Sequence, residues 1–462
     1  MIAAIVLTAQ ILLTPCTLDG VSGPTRCGTY RVWENRETKR GRQIDLSIIV
    51  LEALSTPRKR ESLFLLAGGP GDAPSFNASF FSRVFAGVRQ TRDLVLVDLR
   101  GTGKSNPLTC PELTRPNPEG SLDENILSVT AVQSCLARLE KTADLRQYTT
   151  EIAVDDLDEV RAALGYNQIN LYGTSYGSRV AQVYMRRYPS SLRTVSMKGI
   201  VPPSLASPET HARAGEEAWR RLVKRCQSNE LCARNFPTPD ADLRTLLKRL
   251  EPATVLAMPG SQNATTKIRV TSGLFAEVFR FFLYSPENEV RGLKLLRDIV
   301  HDEKPGLIEN VLGGRAILGG ERLAAGFFLS VSCTEDVPYL PKEIAPLVDG
   351  TFGGDYRLRQ QLNACAIWPS GKVSGQHRKP TKSAIPTLIL SGEFDPVTPP
   401  SGGEEVLRGL TRGLHVVIKN NGHPIGSAEQ CIGNLIGAFV DKGSVIGLDY
   451  SCASKIPEVQ FQ

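Results

Sequence analysis

Two kinds of apolar pattern alternate along the 462-residue chain. Strand-like segments occur at 62–67, 93–98, 168–172, 192–200, 385–391 and 414–419, and those at 62–67 and 93–98 are continuous apolar runs. Such runs mark strands covered on both faces, as in a parallel sheet flanked by helices. Between them lie helical periods. In 151–164, Ile152, Leu157, Val160 and Leu164 form one stripe, with Thr149 or Thr150 as N-cap and Gly165 as C-cap. The acidic Asp155, Asp156, Asp158 and Glu159 are expected on its solvated face. In 178–188, Val180, Ala181, Val183, Tyr184 and Met185 recur at helical spacing. Segments 29–33 and 44–54 flank a polar stretch and predict an antiparallel pair at the start. The order strand, helix, strand, helix, strand is that of a doubly wound α/β sheet.

From about 204 to 380 the pattern changes to helix-like segments, 216–226, 243–250, 273–282 and 290–301, separated by polar loops with glycine and proline. The strand pattern then resumes, and a helix over 428–440 closes the chain. The predicted division is a leader at 1–15, a first core part at 16–203, a helical cap insertion at 204–380 and a second core part at 381–462.

Composition narrows the compartment. The apolar run 2–13 has the length of a signal-peptide core, although no basic residue precedes it, and it is too short to span a membrane. No other stretch approaches a membrane-spanning segment. Ten cysteines, without a Cys-x-x-Cys pair or histidines at zinc spacing, read as disulfides rather than metal ligands. Pairing of neighbours would join Cys16 to Cys27, Cys110 to Cys135, Cys226 to Cys232, Cys333 to Cys365 and Cys431 to Cys452, although sequence alone leaves connectivity open. The expectation is a soluble protein, secreted or periplasmic. A net charge of +6, with no basic stretch interleaved with aromatics, argues against nucleic acid as a partner. The oligomeric state stays open.

One pentapeptide carries chemistry. Gly173-Thr-Ser-Tyr-Gly177 sits between a predicted strand and a predicted helix, where a tight turn lifts the hydroxyl of Ser175 clear of the sheet. A serine needs a neutral histidine to take its proton and a carboxylate to hold the imidazole. Of five histidines, His211, His301 and His377 fall in the insertion and His415 inside a strand pattern. His423 lies in a loop after the last strand. Asp395 follows the preceding strand, with Glu393 as its competitor. The order Ser175, Asp395, His423 is that of an α/β-hydrolase. The backbone N–H of Tyr176 and one from Gly68-Gly-Pro-Gly71 would form the oxyanion hole; Pro70 has no N–H to give, which favours Gly69. Gly101-Thr-Gly-Lys-Ser105 is not a phosphate loop, because Asp98 stands where that motif needs its first glycine.

Taken together, Gly68-Gly-Pro-Gly71, 98–105, Gly173–Gly177, Asp395-Pro-Val-Thr-Pro399 and Gly422-His423 resemble the prolyl and tripeptidyl aminopeptidase family of α/β-hydrolases, over about residues 27 to 452. Ala67 departs from the histidine often found before the double glycine, and the cysteine-rich cap is closer to the exported tripeptidyl branch. The resemblance implies Ser175, Asp395 and His423 as nucleophile, acid and base beneath a helical cap. It implies release of residues from peptide N-termini without metal or organic cofactor. Cap carboxylates in that family bind the peptide ammonium, and Glu335 and Asp336 are the candidates here. A carboxylesterase on the same machinery and a non-catalytic binding protein of the same fold are the alternatives.

Overall fold

A computed structural model describes residues 11–116, 120–259, 265–302, 308 and 322–461. Its main sheet has nine strands: β1 (Thr14–Pro15), β2 (Thr25–Trp33), β3 (Gln43–Leu51), β4 (Leu63–Leu66), β5 (Leu94–Val97), β7 (Ile169–Thr174), β8 (Leu192–Lys198), β11 (Thr387–Gly392) and β12 (Gly413–Ile418). A second sheet holds β6 (Ser121–Leu122), β9 (Thr254–Pro259) and β10 (Thr265–Val270). The main order is β1-β2-β3-β5-β4-β7-β8-β11-β12. Pairing is antiparallel from β1 to β5 and parallel from β5 to β12.

The continuous apolar runs are buried on both faces, as expected. Phe64 and Leu66 of β4 join one hydrophobic core, while Leu63 and Leu65 join the other. Val95 and Val97 of β5 divide from Leu94 and Leu96 in the same way. This is the period of two that a strand imposes on its side chains. The helix expected at 151–164 runs Thr150–Ala163, with the Thr149 hydroxyl accepting from Ile152 N. One of its acidic residues departs from expectation. Asp156 is buried, because Arg100 grips it from Nε at 2.6 Å and Nη2 at 2.8 Å. Arg100 also donates to the main-chain oxygens of Glu34 and Gln147, so this buried ion pair closes the turn after β5.

Between 204 and 380 the chain forms the expected helices, among them His211–Ser228, Pro239–Arg249, Ser272–Phe279 and Pro286–Val300. Other elements there escaped the sequence pattern, among them the antiparallel pair β9–β10, the helix Tyr356–Cys365, and the helix Ala325–Glu335, which is buried throughout. A helix buried on all sides has no polar face and hence no period to read.

All ten cysteines pair as neighbours, Cys16–Cys27, Cys110–Cys135, Cys226–Cys232, Cys333–Cys365 and Cys431–Cys452. The expected leader falls mostly outside the described residues, whereas Thr14 and Pro15 pair with Cys27 and Arg26 of β2. Among the described residues no helix is long and apolar enough to cross a membrane.

Candidate active site

Strand β7 ends at Thr174 and a helix begins at Tyr176, so Ser175 alone makes the turn. Its φ of 55° and ψ of −122° lie in a region that non-glycine residues rarely occupy. Hydrogen bonds hold it there. Ser175 N donates to the main-chain oxygen of Lys198 at 2.9 Å, and the Ser175 oxygen accepts from Ser178 N at 2.8 Å and Ser178 Oγ at 2.6 Å. Strand and helix approach so closely that a Cβ at Gly173 would stand 2.2 Å from the Gly177 oxygen.

Two loops beyond the carboxyl ends of β11 and β12 bring the partners. Asp395 Oδ1 accepts from the main-chain N–H of Val397 at 2.8 Å and Thr398 at 2.9 Å, and Oδ2 accepts from the Thr398 hydroxyl at 2.8 Å. His423 is tied from two directions. Its N–H donates to the Tyr284 oxygen at 2.7 Å, with the Tyr284 ring edge-on to the imidazole, and Lys198 Nζ donates to the oxygens of Gly422 and His423 at 3.1 and 2.7 Å. His423 Nε2 then stands 3.2 Å from Ser175 Oγ, and Nδ1 stands 2.9 and 3.1 Å from the two oxygens of Asp395.

Burial disfavours charge on Asp395, but His423, Lys198 and the Thr398 amide outweigh it and hold the carboxyl below the usual carboxylate range. It is an anion at neutral pH. Burial likewise pushes the Lys198 ammonium down to about 8, against the pull of Asp395. A hydroxyl, an imidazole and an ionised carboxylate in this sequence can pass a proton away from the oxygen and stabilise the imidazolium that results.

Ser175 and His423 open onto a cavity of about 580 Å³ whose wall includes Gly69, Tyr176 and Asp336. The two residues expected to supply oxyanion donors therefore stand at the same opening as the hydroxyl. A wider cleft of about 1310 Å³ lies at the amino ends of the strands, near Leu192, Pro386 and Arg412, and contains none of these groups.

The two acidic candidates separate. Asp336 is in the cavity wall, 2.8 Å from Arg179 Nη2. Glu335, expected over the pocket, is fully buried behind that wall and accepts from Thr150 N at 2.6 Å and Thr150 Oγ1 at 2.7 Å. The Thr150 hydroxyl also meets the Tyr176 hydroxyl at 2.8 Å, so Glu335 is linked to the residue after the elbow rather than to the cavity. Glu393, the competing acid, is occupied by Lys419 and Asn420 N. His415 meets Ser391 Oγ, His301 meets Asp242 and His377 meets the Glu335 oxygen. His211, set aside as part of the insertion, instead lines the cavity.

Sequence reasoning missed Lys198, Tyr284 and Thr398. Lys198 had a signal, a lysine at the carboxyl end of a predicted strand, the edge at which such sheets place their sites. Tyr284 had none, because a main-chain oxygen and a ring contact made across the fold leave no mark on spacing. Among the described residues, one grouping has metal-ligand types close together, Cys110, Glu112 and Cys135, and its two sulfurs are joined to each other.

Residues 61–277 match the family model for the alpha/beta hydrolase fold, and residues 350–452 match that of TAP-like proteins. The chain is 25% identical to the serine protease Hip1 of Mycobacterium tuberculosis, covering 93% of this chain and 88% of the relative. It is 24% identical to tripeptidyl aminopeptidase of Streptomyces coelicolor, covering 95% and 85%. A shorter match, 26% identical over 46% of this chain and 44% of the relative, is to proline iminopeptidase of Aeromonas sobria. With a parallel sheet carrying a serine elbow at its carboxyl edge, and these two models covering its first and last parts, the chain belongs to the TAP-like α/β-hydrolases.

Proposed function

We propose that the protein is an exported serine exopeptidase that releases residues or short peptides from the free N-termini of peptides. The observation that carries this reading is the hydrogen-bonded series Asp395, His423, Ser175 at the opening of a cavity with a carboxylate, Asp336, in its wall. Relatives named as a serine protease, a tripeptidyl aminopeptidase and a proline iminopeptidase support peptide bonds as the target. Five disulfides support an oxidising compartment.

In this mechanism Ser175 Oγ attacks the scissile carbonyl while His423 Nε2 takes its proton and Asp395 stabilises the imidazolium. The N–H groups of Tyr176 and Gly69 receive the oxyanion. His423 then protonates the departing amine, leaving the acyl group esterified to Ser175. Water attacks that ester, with His423 again as base, and Ser175 recovers its proton. Asp336 binds the substrate ammonium, an interaction that an acetylated N-terminus cannot make.

An ester would be cleaved by the same steps, so the bond class is settled by substrates. Purified protein is assayed on aminoacyl and tripeptidyl chromogenic amides, their N-acetyl forms and simple esters, with fluorophosphonate labelling in parallel. Preference for free-amino amides is expected. Faster cleavage of blocked peptides or simple esters would favour a carboxylesterase, and absence of labelling at Ser175 would leave a binding protein.

A further inference from the structure

Arg357, near the start of the helix Tyr356–Cys365, stands in the wall of the cavity that holds Ser175 and His423. It is only 9% exposed, and its Nε and Nη1 have no hydrogen-bond partner among the described residues. The nearest carboxylate, Glu277, is 3.9 Å from Nε and is already taken by Arg280, which approaches it at 3.0 Å through Nη2. The face of the guanidinium is covered by the Phe328 ring, 5.3 Å away. That contact satisfies the π surface and leaves the N–H edges unmet.

A guanidinium cannot escape this by losing its proton. Arg179, elsewhere in the wall, is balanced by Asp336 at 2.8 Å and Glu335 at 3.8 Å. The Arg280–Glu277–Arg357 group holds two cations against one anion, and the neighbouring His211 is kept neutral by burial and by those same arginines. Among the described residues this leaves a surplus buried positive charge with unpaired donors, which is costly and is relieved by an anion bound beside it. The cavity is the one into which the acyl part of a substrate must reach.

We propose that Arg357 forms a carboxylate-binding subsite that selects substrates with an acidic group on the acyl side of the cleaved bond. On that side the carboxylate is an aspartate or glutamate side chain, because the terminal carboxylate of a peptide departs with the amine product. The planar fork of arginine suits such a carboxylate. The inference rests on the peptidase reading and adds to it a charge preference.

The test uses peptides with a free N-terminus that differ only by glutamate or glutamine at each of the three positions before the cleaved bond, each with a free or an amidated C-terminus. At one position the wild-type protein is expected to favour glutamate by roughly tenfold or more in kcat/KM, as a charge-assisted hydrogen bond would give. Arg357→Gln should bring that ratio close to one, and Arg357→Lys should keep part of it. A preference that follows the free C-terminus instead places the recognised carboxylate on the leaving side and overturns the proposal. Equal rates for every pair in the wild type overturn the proposal, and this holds even if Arg357→Gln fails to fold. Were esters but no peptides cleaved, the peptidase reading would fall by itself. The subsite would then be judged on p-nitrophenyl esters with an ω-carboxylate against their ω-methyl esters, where equal rates reject it.

Discussion

Lys198 Nζ donates to the main-chain oxygen of His423 over 2.7 Å, while the main-chain oxygen of Lys198 accepts from Ser175 N. One buried residue at the end of β8 thus fixes the backbones of both the hydroxyl and the imidazole. Lys198→Met keeps the bond to Ser175 N and strands the carbonyls of Gly422 and His423. The His423 loop should relax, with kcat lower by roughly 10- to 100-fold and KM within about twofold. Steady-state kinetics on a free-amino substrate check this; equal changes in kcat and KM would point to binding rather than to alignment.

Ser175→Ala is expected to lower turnover by at least about 10⁴-fold while leaving Tm unchanged. The backbone at this position is held by hydrogen bonds from Ser178 and to Lys198, none of which uses the Ser175 hydroxyl. Circular dichroism and single-turnover acylation separate folding from chemistry.

Gly173→Ala should damage both. The added methyl would press on the Gly177 oxygen, which is main chain and cannot swing aside. A loss of about 1–3 kcal/mol is expected from such overpacking, together with loss of activity as the elbow shifts. Urea unfolding and fluorophosphonate labelling of the same preparation measure the two effects.

Glu335 gives stability a pH dependence. Burial raises its carboxyl from 4.5 to about 7, against the opposing pull of Arg179 and the Thr150 hydrogen bonds. Between those two values the folded protein holds more protons on this group than the unfolded chain does, so its contribution to stability falls as pH rises. Glu335→Gln removes that slope. The variant's stability relative to wild type should therefore improve from about pH 4 to about pH 8, as read from urea midpoints across the range.

Much of this was legible in the chain. The inner strands β4 and β5 were readable because both faces of the sheet are covered there, which turns them into unbroken apolar runs, as in Leu94–Val97. Ser175, Asp395 and His423 were readable because each follows a strand and their order fits one fold, and the structure brings all three within hydrogen-bonding reach. Glu335 shows the limit. An acidic residue beside a cysteine in a segment without periodicity looks like a loop, yet Ala325–Glu335 is a helix buried throughout. Arg357 was hidden for a related reason, since a missing partner is a property of three-dimensional packing and leaves no mark on spacing.

The bridge between Cys333 and Cys365 joins the ends of the two helices that frame the charged wall, one leading to Asp336 and the other bearing Arg357. Ser175, Asp395 and His423 all lie outside the segment that this bridge closes. The substrate contacts proposed for Asp336 and Arg357 are therefore anchored in a separate part of the chain from the three residues proposed to cleave the bond. Opening this one crosslink would loosen the wall that carries Asp336 and Arg357 while leaving the chain around Ser175, Asp395 and His423 untouched.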